Sequence, residues 1–347
     1  MAESVMQAVV LSGVGGLDQL QVRYDVPRPT PTGAQALIQV AACGVNNTDI
    51  NTRTGWYAED SSEAAMGWRR SATGLGFPRI QGADVAGSVV AVGPDADRRL
   101  VGQQVIVDPW VSRAPEWQML GSEVDGGFAQ FCVVPAVNAY PVHSGWSAAE
   151  LASIPCSWST ALNMIERANV VAGERVVVTG ASGGVGTAAV QLLRARGAEV
   201  LAVAGASKAP ALADMGALAI PRQGGDPAAS VRQHVGDVDV VLDVVGGPDV
   251  GNWLGVLTRR GRYVVAGAIA GPVVPLDLRT VYLNDLTLAG VTTYGPDLFQ
   301  RLVEIVESGS VSPVVSGVYS LRNIHRAQED FMAKRHVGAL VLLPDPV

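Results

Sequence analysis

The sequence predicts an α/β protein in which an open parallel sheet wrapped by helices is joined to a β-rich region. Three observations carry this. Residues 5–140 contain short apolar or alternating runs bounded by Gly, Pro and Asp, the pattern of strands. From Ser147 to residue 291, helix-like and strand-like segments alternate, which is the pattern of an open parallel sheet. Within that alternation, Arg175 to Lys208 reads as strand, glycine turn, helix and strand.

In chain order, Met6–Leu11, Gln35–Ala42, Gly87–Val92, Gln104–Val107 and Ala129–Val134 are expected strands of a curled antiparallel sheet. The stretch Gly55–Pro78 interrupts them with Trp56, Tyr57, Trp68 and Phe77 among polar residues. A loop of that length inside a compact domain is functional or mobile. Ser147-Ala-Ala-Glu150 is a capping box, and Ser159–Ala168 has helical spacing.

After the central unit come an expected helix at Lys208–Met215, strand at Leu218–Pro221, helix at Pro227–Val235 and strand at Val238–Val244. A helix at Val250–Leu257 and strands at Gly261–Val265 and Leu286–Val291 complete the alternation. The tail adds a helix at Asp297–Ser308, a strand at Val314–Tyr319, a helix at Ile324–Arg335 and a strand at Ala339–Leu343. The last strand is expected to pair back onto the β-rich region.

The central unit carries the first chemical signal. Its turn reads Ala181-x-Gly183-x-x-Gly186, with Ala181 where the dinucleotide fingerprint has its first glycine. A strand before the turn and a helix after it meet the structural condition for the motif, aiming backbone N–H groups and a helix N-terminus at a phosphate.

Composition narrows the classes. With 347 residues, 48% of them hydrophobic and 16% charged, the chain can bury a large core and is not a disordered polymer. A net charge of −7 argues against nucleic acid as the main partner. No apolar run is long enough to span a bilayer and no leader-like segment opens the chain, so a cytoplasmic protein with no membrane partner is expected. Cys43, Cys132 and Cys156 are odd in number and widely spaced, unlike a disulfide framework or a four-cysteine zinc knot.

Several motifs, taken together, resemble the medium-chain dehydrogenase/reductase superfamily. They are Gly44-Val-Asn46-Asn-Thr48-Asp49 with Arg53-x-Gly55-x-Tyr57, Gly82-Ala-Asp84-Val-Ala-Gly87 through Val92-Gly93, Gly126-Gly-Phe128-Ala-x-Phe131, and Gly180-Ala-Ser-Gly-Gly-Val-Gly186. The sequence is most similar to the zinc-independent quinone oxidoreductases, the zeta-crystallin branch, over nearly its whole length. The resemblance implies a GroES-like substrate domain from residues 1–150 and 295–347, a Rossmann NADP(H)-binding domain over 151–294, and a cleft between them. It also implies a homodimer joined through the last parallel strand.

The zinc alcohol dehydrogenases of the superfamily bind catalytic zinc through a cysteine after Gly-Val, a histidine in Gly-His-Glu and a third ligand before the Rossmann fold. The matching positions are Asn46, Ala83 and Cys156. One thiol with Asp84 nearby is a poor set for zinc, so no metal is expected. Without a Lewis acid, alcohol oxidation loses the group that stabilises the alkoxide. A quinone or enone already accepts hydride, so the protein need only position the nicotinamide, exclude water and offer a hydrogen-bond donor.

Three residues match the family's substrate-side motif. Asn46 is either a donor to a developing oxyanion or a turn residue satisfying local backbone. Tyr57 is either a hydrogen-bond or proton donor or a covering loop aromatic. Thr48 matches the proton-relay hydroxyl of the zinc enzymes, or binds cofactor or backbone. Asp49 is expected to cap the helix it opens. None of His143, His234, His325 and His336 is a favoured base, and His336 is expected to pack or to edge the cleft.

Cofactor choice is read after the second parallel strand. NAD-selective members place an acidic residue there for the ribose 2′-OH, and this chain has Gly205 followed by Ser207 and Lys208. A hydroxyl and a cation suit a 2′-phosphate, so NADPH is expected, with Arg222 as a second phosphate contact. The alternative for Lys208 is a solvated residue starting the next helix. By motif position, Thr160 meets the nicotinamide end and Ser182, Gly183, Gly184 and Val185 lie under the pyrophosphate. Gly246 lies near the adenosine, and Gly267 and Ala268 sit beside the nicotinamide ribose.

Residues 58–76 depart from the branch, whose members run almost directly into the Phe77–Gly82 element. This insert is expected to reshape or lid the substrate side. Trp56, Trp68, Trp110 and Trp117 form either an aromatic wall or ordinary packing. Three functions stay open: an NADPH-dependent quinone or enone reductase, an alcohol dehydrogenase of the same superfamily, and a nucleotide-binding structural or sensing protein.

Overall fold

The computed structural model describes residues 4–57, 76–113, 117–222 and 225–347. Most of the insert, including Trp68, lies outside them. The chain divides into two compact units, one running to Cys156 and resuming over Val315–Val347, the other Ser157–Val314.

The first unit is organised on the strand Gln35–Val45, whose long apolar run is buried from Ala36 to Ile38 and from Ala42 to Val45. It pairs antiparallel with Asp84–Val92, Phe131–Pro135 and Ala339–Leu343, so the tail does return to this sheet. The sheet continues through Gln104–Val107 to Ala139–Pro141 on one side and through Ala339–Leu343 to Val315–Ser320 on the other. Register shifts between Leu37 and Ile38 and between Val40 and Ala42 curl the strand.

A second, three-stranded sheet runs Leu20–Pro27, Val5–Leu11, Arg79–Ile80. The sequence reading misses Leu20–Pro27, although Leu20, Val22, Tyr24 and Val26 alternate in it; only Leu20 is buried, and Arg23, Tyr24 and Asp25 face solvent on this edge strand.

The second unit holds a six-stranded, all-parallel sheet in the order Leu218–Pro221, Glu199–Ala204, Arg175–Val178, Val238–Asp243, Leu257–Val265, Thr287–Gly290. In chain order this is 3-2-1-4-5-6, the doubly wound arrangement that binds ligands at the carboxyl ends of its strands. Val177, Leu201, Val203, Ile220, Val241 and Tyr263 pack its core under Trp253 and Leu254. The helix Leu278–Leu283, which the sequence reading did not single out, has no buried residue.

The helix Pro296–Glu307 belongs to this unit, although residues 295–347 were expected to join the first. It buries Leu298, Phe299, Leu302, Val303 and Val306 on one face, and Arg301 pairs with Glu166 of the helix Pro155–Arg167 at 2.7 Å. The return to the first unit therefore comes at Val315, about one helix later than expected. Among the described residues, no helix is long and apolar enough to cross a membrane.

Candidate active site

In the first unit, the candidate catalytic residues flank or begin the helix Asn47–Thr54. Asn46 caps it in extended conformation, and Asp49 reaches back to accept the Asn46 backbone N–H at 2.7 Å. The Asn46 side chain is buried and donates through Nδ2 to Asp84 Oδ2 at 2.7 Å. The other carboxylate oxygen, Asp84 Oδ1, accepts the Cys156 backbone N–H at 2.6 Å.

Strand register makes this meeting possible, because Gly44 stands opposite Asp84. A Cβ on Gly44 would lie 2.5 Å from Asp84 Oδ2 and 2.6 Å from the Ala152 carbonyl, so only glycine admits the carboxylate. Burial pushes Asp84 up to about 6, against the opposing hydrogen bonds from Asn46 and Cys156. Burial also lifts Asp49 to about 7; the Asn46 and Gly82 backbone bonds oppose this and the nearby Asp84 charge adds to it.

At the other end of the helix, Gly55 adopts the left-handed conformation and turns the chain out through Trp56 and Tyr57. The Tyr57 hydroxyl accepts from Asn51 Nδ2 at 3.3 Å and also hydrogen-bonds the Thr48 side chain. Burial raises its pKa, and those two bonds partly oppose the rise. The fold thus gathers Thr48 and Tyr57 into one hydroxyl cluster, with Asn46 and its carboxylate partner at the cap of the same helix.

Zinc does not fit these residues. Ala83 has no ligating atom, the Asn46 amide nitrogen donates to Asp84, and both Asp84 oxygens accept hydrogen bonds. Burial, with Asp84 and Asp49 close by, pushes the Cys156 thiol well up and keeps it protonated. No group of three or more His, Cys, Asp or Glu among the described residues could hold a metal ion.

The aromatic residues divide. Trp110 is buried and meets Trp117 edge-on at 5.7 Å, while Trp56 is exposed. His336 stacks on Phe331 at 5.4 Å, a packing role.

In the second unit, the turn Gly180–Gly183 leads into the helix Gly184–Ala195, whose first turn carries Val185. A Cβ on Gly186 would lie 2.4 Å from the Gly180 carbonyl, so the helix start packs directly on the turn. Ser157 Oγ approaches Gly184 in the same way, which brings the helix bearing Thr160 up to the glycine turn.

Lys208 ends the short turn Ala206–Lys208 beyond Gly205, and its Nζ donates to Ser182 Oγ at 3.2 Å. Burial lowers its pKa, and the neighbouring Arg222 charge lowers it further. Arg222 is held at the next strand's end by its N–H to the Ala204 carbonyl, at 2.6 Å. Ser182 and Lys208 thus meet as a hydroxyl and a cation, with the Arg222 charge near enough to act on Lys208, and such groups fit a phosphate dianion. Ser207, in contrast, is exposed.

Gly246, Gly267 and Ala268 also meet. A Cβ on Gly246 would stand 3.0 Å from Ala268 Cα, and one on Gly267 would stand 2.9 Å from the Val244 carbonyl. Next to them is Asp243, a residue that the motifs did not single out. Asp243 is wholly buried and accepts hydrogen bonds from Thr179 Oγ1, Tyr263 OH and the backbone N–H groups of Val245 and Gly246. The available signal was a buried acid closing the mostly apolar strand Val238–Asp243.

Two family models match the chain, the alcohol dehydrogenase GroES-like domain over residues 32–144 and the zinc-binding dehydrogenase over 184–308. A solved candidate alcohol dehydrogenase from Sinorhizobium meliloti 1021 is 47% identical, with 98% of this chain and 97% of that one covered and a TM-score of 0.93. The chain belongs to the medium-chain dehydrogenase/reductase superfamily, in its zeta-crystallin-like branch.

The quinone oxidoreductase of Mus musculus is 29% identical over 98% of both chains. A mycobacterial protein solved in complex with NADPH is 27% identical, over 98% of this chain and all of that one, with a TM-score of 0.79. Within the superfamily the chain is an oxidoreductase that uses a nicotinamide cofactor, with a GroES-like unit and a Rossmann unit.

Proposed function

We propose that the protein is a zinc-independent, NADPH-dependent reductase of quinones or α,β-unsaturated carbonyls. The observation that carries this reading is the engagement of Asn46 by Asp84 at the position where zinc enzymes place a metal ligand. An amide held by a carboxylate offers hydrogen bonds, not Lewis acidity, and such a site suits an acceptor that is already activated.

NADPH, when bound, supplies a hydride. Ser182, Lys208 and Arg222 would hold its 2′-phosphate, and the turn at Gly183–Gly186 its pyrophosphate. Gly205 leaves no carboxylate to repel the phosphate. Thr160, Gly267 and Ala268 would line the nicotinamide end, and Gly246 would face the adenosine. On the substrate side, Asn46 orients the acceptor oxygen and stabilises charge developing on it. The Thr48–Tyr57 pair supplies a hydroxyl proton to the reduced acceptor, its tyrosine kept protonated by burial.

Mouse quinone oxidoreductase supports the acceptor class, and the mycobacterial NADPH complex supports the cofactor. A second reading, an alcohol or carbonyl dehydrogenase, is favoured by the 47% identity to the Sinorhizobium protein. Both readings meet one experiment. Chelated protein is assayed with NADPH and NADH against quinones, enones and simple ketones, and in reverse with alcohols. NADPH oxidation by quinones or enones supports the proposal; turnover confined to alcohols and ketones supports the second reading.

The proposal includes a homodimer. Thr287–Gly290 is the open edge of the parallel sheet, and Leu288 on it is exposed, as are Leu278, Tyr282 and Leu283 of the preceding helix. A second copy laid on this edge would cover that apolar surface and extend the sheet.

A further inference from the structure

We propose that Asp243 is a positioning residue for the nicotinamide end of the cofactor, acting through two chain segments that it fastens together. This rests on the nicotinamide-cofactor reading above, and it concerns a residue that touches neither cofactor nor substrate.

The geometry begins with an imbalance. A wholly buried carboxylate ordinarily needs a cation, yet Asp243 is satisfied by four neutral donors, the hydroxyls of Thr179 and Tyr263 and the N–H groups of Val245 and Gly246 at 2.7 and 3.1 Å. Thr179 Oγ1 in turn accepts the Val244 N–H at 3.1 Å. Three successive N–H groups of residues 244–246 are thereby drawn inward onto one side-chain pair. The donors come from three adjacent parallel strands, since Thr179 follows Arg175–Val178 and Tyr263 lies on Leu257–Val265.

The fastened turn carries the neighbouring segment with it. Gly246 and Gly247 both have positive φ, 63° and 78°, which bends the turn over onto residues 267–271. Ala270 N–H donates to the Val245 carbonyl at 2.9 Å and Gly247 N–H to the Gly271 carbonyl at 3.1 Å. Gly267 and Ala268, the residues assigned to the nicotinamide ribose, therefore stand on a wall whose placement depends on Asp243. The hydroxyl of Tyr263, whose pKa is pushed up by burial and by Asp243, stays protonated and remains a donor.

The test compares NADPH with 2′,5′-ADP, a fragment that carries the 2′-phosphate and lacks the nicotinamide, by fluorescence or calorimetric titration. Asp243→Leu leaves its four donors without their acceptor and should raise the NADPH dissociation constant about tenfold or more, with a smaller change for the fragment. Asp243→Asn keeps one oxygen for Thr179, Val245 and Gly246 and should restore most of the affinity. Thr179→Val is the milder variant should the leucine protein fail to fold, and should weaken NADPH about threefold while speeding amide exchange at residues 244–247.

Equal losses for NADPH and the fragment, or an unchanged NADPH constant in both Leu and Val variants, would overturn the inference. Wild-type protein that binds neither nucleotide would overturn the cofactor assignment beneath it, a result visible before any variant is made.

Discussion

Asn46 Nδ2 lies 2.7 Å from Asp84 Oδ2, and this one hydrogen bond fixes which way the Asn46 amide faces. A carboxylate accepts and cannot donate, so the amide nitrogen must point at Asp84 and the carbonyl oxygen away from it. In the proposed reading, the Asn46 amide is the donor that meets the acceptor oxygen. Replacing Asn46 by leucine should lower kcat about a hundred- to a thousandfold, the size seen for loss of one oxyanion donor, with the NADPH dissociation constant unchanged. Steady-state kinetics beside a nucleotide titration separates the two effects.

The buried carboxylates predict a pH dependence of stability. Asp49 and Asp84 have native pKa values of about 7 and about 6, both above the ordinary carboxylate range. The native state therefore holds more protons than the unfolded chain between about pH 4 and 7, and the stability these groups contribute falls as pH rises through that window. Melting temperatures of the wild type and Asp49→Asn, measured from pH 5 to 7.5, should converge or cross as pH rises, because the variant lacks the Asp49 share of the decline. Parallel curves would contradict the assignment.

The proposed preference for NADPH turns on Lys208. Its ammonium reaches Ser182 with Arg222 alongside, so Lys208→Ala should weaken NADPH about tenfold or more and leave NADH within about twofold. Gly205→Asp, which places a carboxylate where NAD-selective relatives have one, should move preference toward NADH. Equal loss of both nucleotides in Lys208→Ala would remove the phosphate role.

Two glycines are predicted to tolerate no side chain. In Gly44→Ala the new methyl would meet the Asp84 carboxylate at 2.5 Å, and in Gly186→Ala the Gly180 carbonyl at 2.4 Å. Each should destabilise by roughly 1–3 kcal/mol, read by denaturant unfolding, and Gly186→Ala should also impair nucleotide binding.

The proposed dimer predicts that Leu283→Asp gives a monomer in light scattering with its circular dichroism unchanged, since Leu283 is exposed on the helix beside the sheet edge.

The parallel sheet was legible because each buried strand is a short apolar run between glycine or proline, and because Val185, Ala188, Ala189, Leu192 and Leu193 keep helical spacing. The strand Leu20–Pro27 and the helix Leu278–Leu283 were passed over: the strand alternates but buries only Leu20, and the helix is one short stretch with no residue buried. At the candidate site, residue types revealed what Asn46 and Lys208 could do but not their partners. Asp84 and Asn46 are separated by 38 positions, and Asp243 and Thr179 by 64. Only strand register, which periodicity does not encode, brings such pairs together.

The strand Ala339–Leu343 sits between Gln35–Val45 and Val315–Ser320, inside its sheet and not at an edge. A growing chain therefore exposes the whole parallel-sheet unit to folding while the other unit still has an open seam along Cys43–Val45. The unpaired groups on that seam, beside Asn46, stay available for mispairing until Ala339–Leu343 has been made. The surroundings of Asn46 are thus completed only after the parallel-sheet unit has been synthesised.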